Sequence, residues 1–162
     1  MATLGIGLLL AVVGLTQFIS QAAFLRPLLA RFGEYWLVLI GNIGRTIGSF
    51  AFAVSVTPVM GAASSVIFAF GLSIMMPSLQ SLATGTVDDE YRGGVLGLYQ
   101  STMSLSIIIS SAVAGILFAM SATMPYWIAG GLAILALIPA VLLLIQYGQK
   151  EPAAEMEGRP LD

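Results

Sequence analysis

This sequence predicts an all-α integral membrane protein, a helical bundle of about five transmembrane helices, and three observations lead there. Of its 162 residues 58% are hydrophobic and only 9% charged, with a mean hydropathy of +0.97. A soluble domain carries roughly 25% charged residues because water must wet its surface. The apolar residues gather in stretches long enough to cross a hydrocarbon core of roughly 30 Å at about 1.5 Å per helical residue. Nor do they alternate as barrel strands would: Leu8 to Val13 and Leu132 to Ile145 are almost unbroken apolar runs. Inside lipid each backbone amide needs a partner within its own segment, so such runs fold as helices.

Taken in order, the first stretch is Leu4 to Leu25. A secretory leader would open on a basic segment, but Met1-Ala2-Thr3 runs into Leu4 with no Lys or Arg, so the stretch reads as a retained helix. After a connection from Arg26 to Tyr35 come Trp36 to Val56, a break at Thr57-Pro58, and Val59 to Ala83. A second polar connection, Thr84 to Gly94, precedes Val95 to Met120; then Ser121 to Pro125 leads into Tyr126 to Tyr147. Residues 1–147 thus form one transmembrane domain. The remainder, 148–162, mixes charges with Pro152, Pro160 and Gly158 and is expected to be a disordered cytoplasmic tail.

Charge orients the bundle. Arg26 and Arg31 lie in the first connection, Arg92 in the third, and Lys150 and Arg159 in the tail, whereas the second and fourth connections carry none. Basic loops stay cytoplasmic. The expected arrangement in a cell (inner or plasma) membrane is therefore N-terminus outside and C-terminus inside.

Several functions are excluded. A net charge of -2 offers no basic field to nucleic acid. With no histidine and no cysteine, zinc chemistry and the commonest general base are missing, and no Gly-rich phosphate loop with its lysine occurs. No enzyme activity, metal or cofactor is expected.

Arg45 is the most informative single residue, set mid-span in Gly41-Asn42-Ile43-Gly44-Arg45-Thr46-Ile47-Gly48. At that depth an arginine costs about 2.5–3.5 kcal/mol on insertion scales. No carboxylate lies at its level, since the acids fall at Glu34, at Asp88, Asp89 and Glu90, or in the tail. Its partners are then carbonyls, amides such as Gln17 or Asn42, water or another chain, unless it snorkels to the interface. Gly44 and Gly48 form a small-xxx-small pair that lets another helix come close, and Ser106, Ser110, Ala114 and Ser111, Gly115 repeat the device. In the third span Met75-Met76-Pro77 is followed by Gln80; proline frees a carbonyl and bends a helix. Bent helices near the midplane are where transporters often bind substrate. Gln80 and Gln100 are amides that should face protein or water.

At its connections the sequence resembles the major facilitator superfamily, in particular the drug/proton antiporter branch that includes the tetracycline exporters. Pro27-Leu28-Leu29-Ala30-Arg31-Phe32-Gly33-Glu34 is similar to the degenerate second-half copy of the family's G-x-L-a-D-R-x-G-R-R loop: Arg31 and Gly33 match, Ala30 replaces the aspartate and Glu34 a basic residue. Met76-Pro77-Ser78-Leu79-Gln80, then Val87-Asp88-Asp89-Glu90-Tyr91-Arg92-Gly93-Gly94-Val95-Leu96-Gly97, is similar to the tenth helix, its following loop and the start of the eleventh, with Gly93 and Gly97 on the family's glycine spacing. Where the family often has Gly-Pro, this chain has Ser110-Ser111.

The resemblance implies helices eight to twelve of a twelve-helix secondary transporter, proton-coupled as a whole, that exports small molecules. It also implies that helices eight, ten and eleven line a central cavity, which favours Gln17, Met75, Met76, Gln80, Tyr99 and Gln100 as substrate-facing residues over Arg45. One half needs six helices, so the chain is expected to be a fragment that cannot run a cycle alone and to require a missing N-terminal half or a partner chain. The competing expectation is a non-transporting membrane assembly or structural subunit that kept the fold.

Overall fold

The computed structural model describes residues 2–147. Among them every regular element is helical: α1 Ala2–Ile19, a π-helical turn Ser20–Phe24, α2 Leu25–Ala53, α3 Pro58–Gly85, α4 Asp89–Met120 and α5 Met124–Tyr147. The expectation of a disordered tail at 148–162, with Lys150 and Arg159, falls outside the described residues.

Among the described residues four helical stretches are long and apolar enough to cross a membrane, the first of them Leu10–Ala53, 44 residues. Straight, it would measure about 66 Å, twice a hydrocarbon core. It is not straight. Gly33 has φ 76° and ψ 168°, a conformation essentially reserved for glycine, and it breaks α2. The contacts on either side show the reversal. Phe24 meets Phe70 edge-on with ring centroids 6.2 Å apart, Glu34 accepts a hydrogen bond from Ser81 further along α3, and the chain then returns until Gly48 abuts Phe68. The run is two antiparallel rods hinged at one residue.

The expected connection from Arg26 to Tyr35 is therefore corrected: it is helical except at Gly33. Pro27 would place its ring against the carbonyl of Ala23. The backbone widens just ahead of it into the π-helical turn, where the Leu25 N–H donates to the Ser20 carbonyl. α4 likewise starts at Asp89, ahead of the expected Val95, and α3 extends to Gly85, leaving only residues 86–88 outside helix. Asp89 and Glu90 in the first turn of α4 complement its positive end. Thr57 caps α3 by accepting from the Met60 N–H at 3.2 Å, with Pro58 in the first turn.

Packing centres on α3. Its Gly71 lies against the backbone of α2 at Gly41, Gly44 and Arg45, and Gly48 meets Phe68. The glycines around Arg45 thus admit a neighbouring helix, as their spacing predicts. α5 lies on the other flank of α2: Phe50 packs edge-on against Trp127 at 5.5 Å and fills the space over Gly130, and Asn42 donates to the Ala133 carbonyl at 3.2 Å. Tyr35 stacks on Tyr147 at 6.2 Å. At the opposite end Phe52, Tyr126 and Phe118 form a chain of ring contacts linking α2, α5 and α4.

α4 differs from the rest. It touches α3 and α5 but buries none of its residues. Ser106, Ser110, Ser111 and Gly115 are exposed, with nothing within 4 Å of a side chain placed at Gly115. The tight packing expected of those small residues is absent within the described residues of this chain.

Candidate functional site

Antiparallel helices place the Gly33 corner, the end of α3, the start of α4 and Tyr147 at one end of the bundle, as the Glu34–Ser81 and Tyr35–Tyr147 contacts show. There an open groove of about 480 Å³ runs between α3 and α4, lined by Pro77, Gln80, Ser81, Thr84, Arg92, Gly93 and Leu96. Its polar atoms sit low on α3: the Thr84 hydroxyl donates to the Gln80 carbonyl at 3.0 Å, and Ser81 donates to Glu34. Arg92 forms an exposed ion pair with Asp89 at 2.9 Å, one turn back on α4. In high dielectric such a pair is weak, so the guanidinium is available at the groove's edge.

The groove gathers some of the residues expected from sequence. Gln80, Arg92 and Gly93 line it, and one turn deeper the Tyr99 hydroxyl points at the Met76 sulfur, 3.5 Å away. Met75 lies elsewhere. It is 5% exposed, touches Gly41 and packs with Val38 and Ala140, so it holds α2, α3 and α5 together. Gln17 is half-buried on α1, and Gln100 is exposed on α4. Arg31 lies over the ring of Phe32 at 5.8 Å, Gly33 makes the corner, and Asp88 and Glu90 are exposed at the head of α4. Gly97 is open, with nothing within 4 Å of an added side chain.

Ser81, Thr84 and Leu96 are not among the site residues that the sequence points to. The available cue is the spacing of Gln80, Ser81 and Thr84, which share one turn at the polar end of an apolar helix. Among the described residues no group of His, Cys, Asp and Glu could hold a metal ion.

Arg45 stands half-buried midway along the second rod of α2, with no ion pair or side-chain hydrogen bond among the described residues. One turn before it, Asn42 is 3% exposed; its amide nitrogen is bonded to α5, but its Oδ1 has no partner among the described residues.

The family model for the Major Facilitator Superfamily matches residues 1–161. The chain is 30% identical over 139 residues to the tetracycline resistance protein, class C, of Escherichia coli, covering 84% of this chain and 35% of that protein. It is 27% identical over 139 residues to the quinolone resistance protein NorA of Staphylococcus aureus, covering 86% and 36%. The chain thus spans about a third of the length of the curated relatives it matches.

Proposed function

The chain belongs to the Major Facilitator Superfamily, and from that premise we propose that it furnishes the five C-terminal helices of a secondary transporter that exports small molecules across a cell membrane. The observation that carries the reading is α4. A helix of 32 residues that crosses a bilayer yet buries none of them, while presenting Gln100, Ser101 and Ser104 on one exposed face, is half of an interface. An amide facing acyl chains is costly, whereas one facing a watery cavity between two halves is not. Alternating access works by rocking two such halves around a midplane site.

The groove at the Gly33 end then forms part of the cytoplasmic mouth, with Gln80, Tyr99, Met76 and Gln100 along the substrate path above it. Arg26, Arg31 and Arg92 share that end, which favours an outside N-terminus and a cytoplasmic C-terminus. The described carboxylates, Glu34, Asp88, Asp89 and Glu90, also sit there, far from the midplane. A proton-coupling acid is supplied by the complementary helices.

The test is transport in proteoliposomes under an imposed pH gradient, with tetracycline as the probe, using this chain alone and this chain with a polypeptide carrying the first seven helices of the class C tetracycline relative. The chain alone is expected to show no saturable, gradient-dependent flux and the pair to show it. Saturable coupled transport by the chain alone would contradict the reading.

A further inference from the structure

The groove and α4 do not account for Arg45. Val38, Asn42, Arg45 and Ser49 follow one another at helical spacings of four, three and four residues. Val38, Asn42 and Ser49 are 5%, 3% and 3% exposed. Val38 packs with Met75 of α3 and Ala140 of α5, and Asn42 is bonded to Ala133 of α5. The lipid-facing stripe of the same helix, Trp36, Ile43 and Ile47, lies opposite. Arg45 therefore belongs to the inward stripe, between the α3 and α5 contacts of this helix.

No charged group among the described residues meets it there. Glu34 is eleven residues away, about 16 Å along the axis, and Asp88, Asp89 and Glu90 are at the same distant end. The nearby hydroxyls are committed to their own helix: Thr46 donates to the Asn42 carbonyl at 2.8 Å and Ser49 to the Arg45 carbonyl at 3.0 Å. The one unsatisfied buried side-chain group among the described residues is an acceptor, Asn42 Oδ1, a single turn from the guanidinium. A guanidinium has five donors in a planar fork suited to an oxyanion. Asn42 Oδ1 makes no bond to it in this structure, so the whole fork is free for a ligand.

We propose that Arg45 is an oxyanion-binding site inside the bundle, taking a carboxylate or phosphate oxygen pair between α3 and α5, beside the unpartnered Asn42 Oδ1. That the anion is cargo rests on the transport reading above; that it binds does not.

The test measures radiolabelled benzoate and its uncharged isostere benzamide on the chain in phosphatidylcholine nanodiscs. Benzoate is expected to bind saturably and benzamide not. Arg45→Gln should weaken benzoate at least tenfold, Arg45→Lys less because charge remains without the fork, and Asn42→Leu a few-fold. Removing a charge from the membrane favours insertion, so lost binding in Arg45→Gln does not reflect lost folding; circular dichroism of each variant checks this. Repeating the titration in dodecyl maltoside micelles, which hold no phosphate, identifies the source: tighter benzoate binding there than in phosphatidylcholine assigns the site to a headgroup phosphate, and equal affinity assigns it to a soluble anion. Benzoate affinity equal in Arg45→Gln and the parent, or no benzoate binding by the folded parent in the phosphate-free micelles, overturns the proposal. Because no transport is measured, either result leaves the transporter reading standing or falling on its own flux assay.

Discussion

Replacing Gly71 by alanine is expected to force α2 and α3 apart. A methyl group at Gly71 would lie 2.6 Å from the Arg45 amide nitrogen, 2.6 Å from the Gly41 carbonyl oxygen and 3.0 Å from the Gly44 carbonyl carbon. All three are backbone atoms, so no side chain can rotate out of the way, and relief requires one helix to move. Overpacking costs typically about 1–3 kcal/mol, and a clash with backbone belongs at the upper end. Alanine's better helix propensity, about 1 kcal/mol over glycine, works in the other direction and is outweighed. Gly61 is the control on the same helix, because nothing lies within 4 Å of a side chain placed there. In unfolding by sodium dodecyl sulfate from mixed micelles, Gly71→Ala should lose about 2 kcal/mol or more, and Gly61→Ala none. Equal behaviour of the two variants would mean that α2 and α3 are not in backbone contact.

The second large effect is expected at Gly33. With φ 76° and ψ 168°, its conformation is closed to a residue with a side chain at a cost of order 1–3 kcal/mol, more for a β-branched one. Gly33→Val relieves that strain by turning helical. The corner then straightens, and Phe24 and Glu34 cannot both keep their partners Phe70 and Ser81 on α3. With Phe24→Cys and Phe70→Cys introduced into a chain that has no cysteine of its own, a short bis-maleimide should join the two positions efficiently when Gly33 is retained and poorly in the Gly33→Val background. Undiminished cross-linking would show that the reversal does not depend on a positive φ.

Much of this architecture was legible because hydrocarbon imposes simple rules. Runs such as Leu132 to Ile145 admit one structure in lipid, and Gly44 with Gly48 announces a close neighbour. Hydropathy locates where lipid ends, however, not where a helix ends. Arg26 to Phe32 and Asp89 to Gly94 are polar enough to be read as loops, yet they continue the helices into the interface, where water satisfies their side chains and the backbone ladder still forms. The corner was hidden in one glycine among the 18. The site divides similarly. Gln80 and Arg92 are amphipathic groups near a helix end and do line the groove, whereas Met75 is apolar and equally suited to a cavity wall or a core. Only its placement over Gly41 decides for the core, and Gly41's partner Gly71 lies 30 residues on, where no local pattern marks it.

Cysteine accessibility tests the five-pass topology most directly. Thr57→Cys and Ser121→Cys sit in the turns at one end of the bundle and Thr86→Cys in the turn at the other. With a membrane-impermeant maleimide, the first two are expected to label in right-side-out vesicles and the third only in inside-out vesicles. Labelling of Thr57→Cys and Thr86→Cys from the same face would contradict the fold as a membrane structure, and with it the placing of these helices in a transporter.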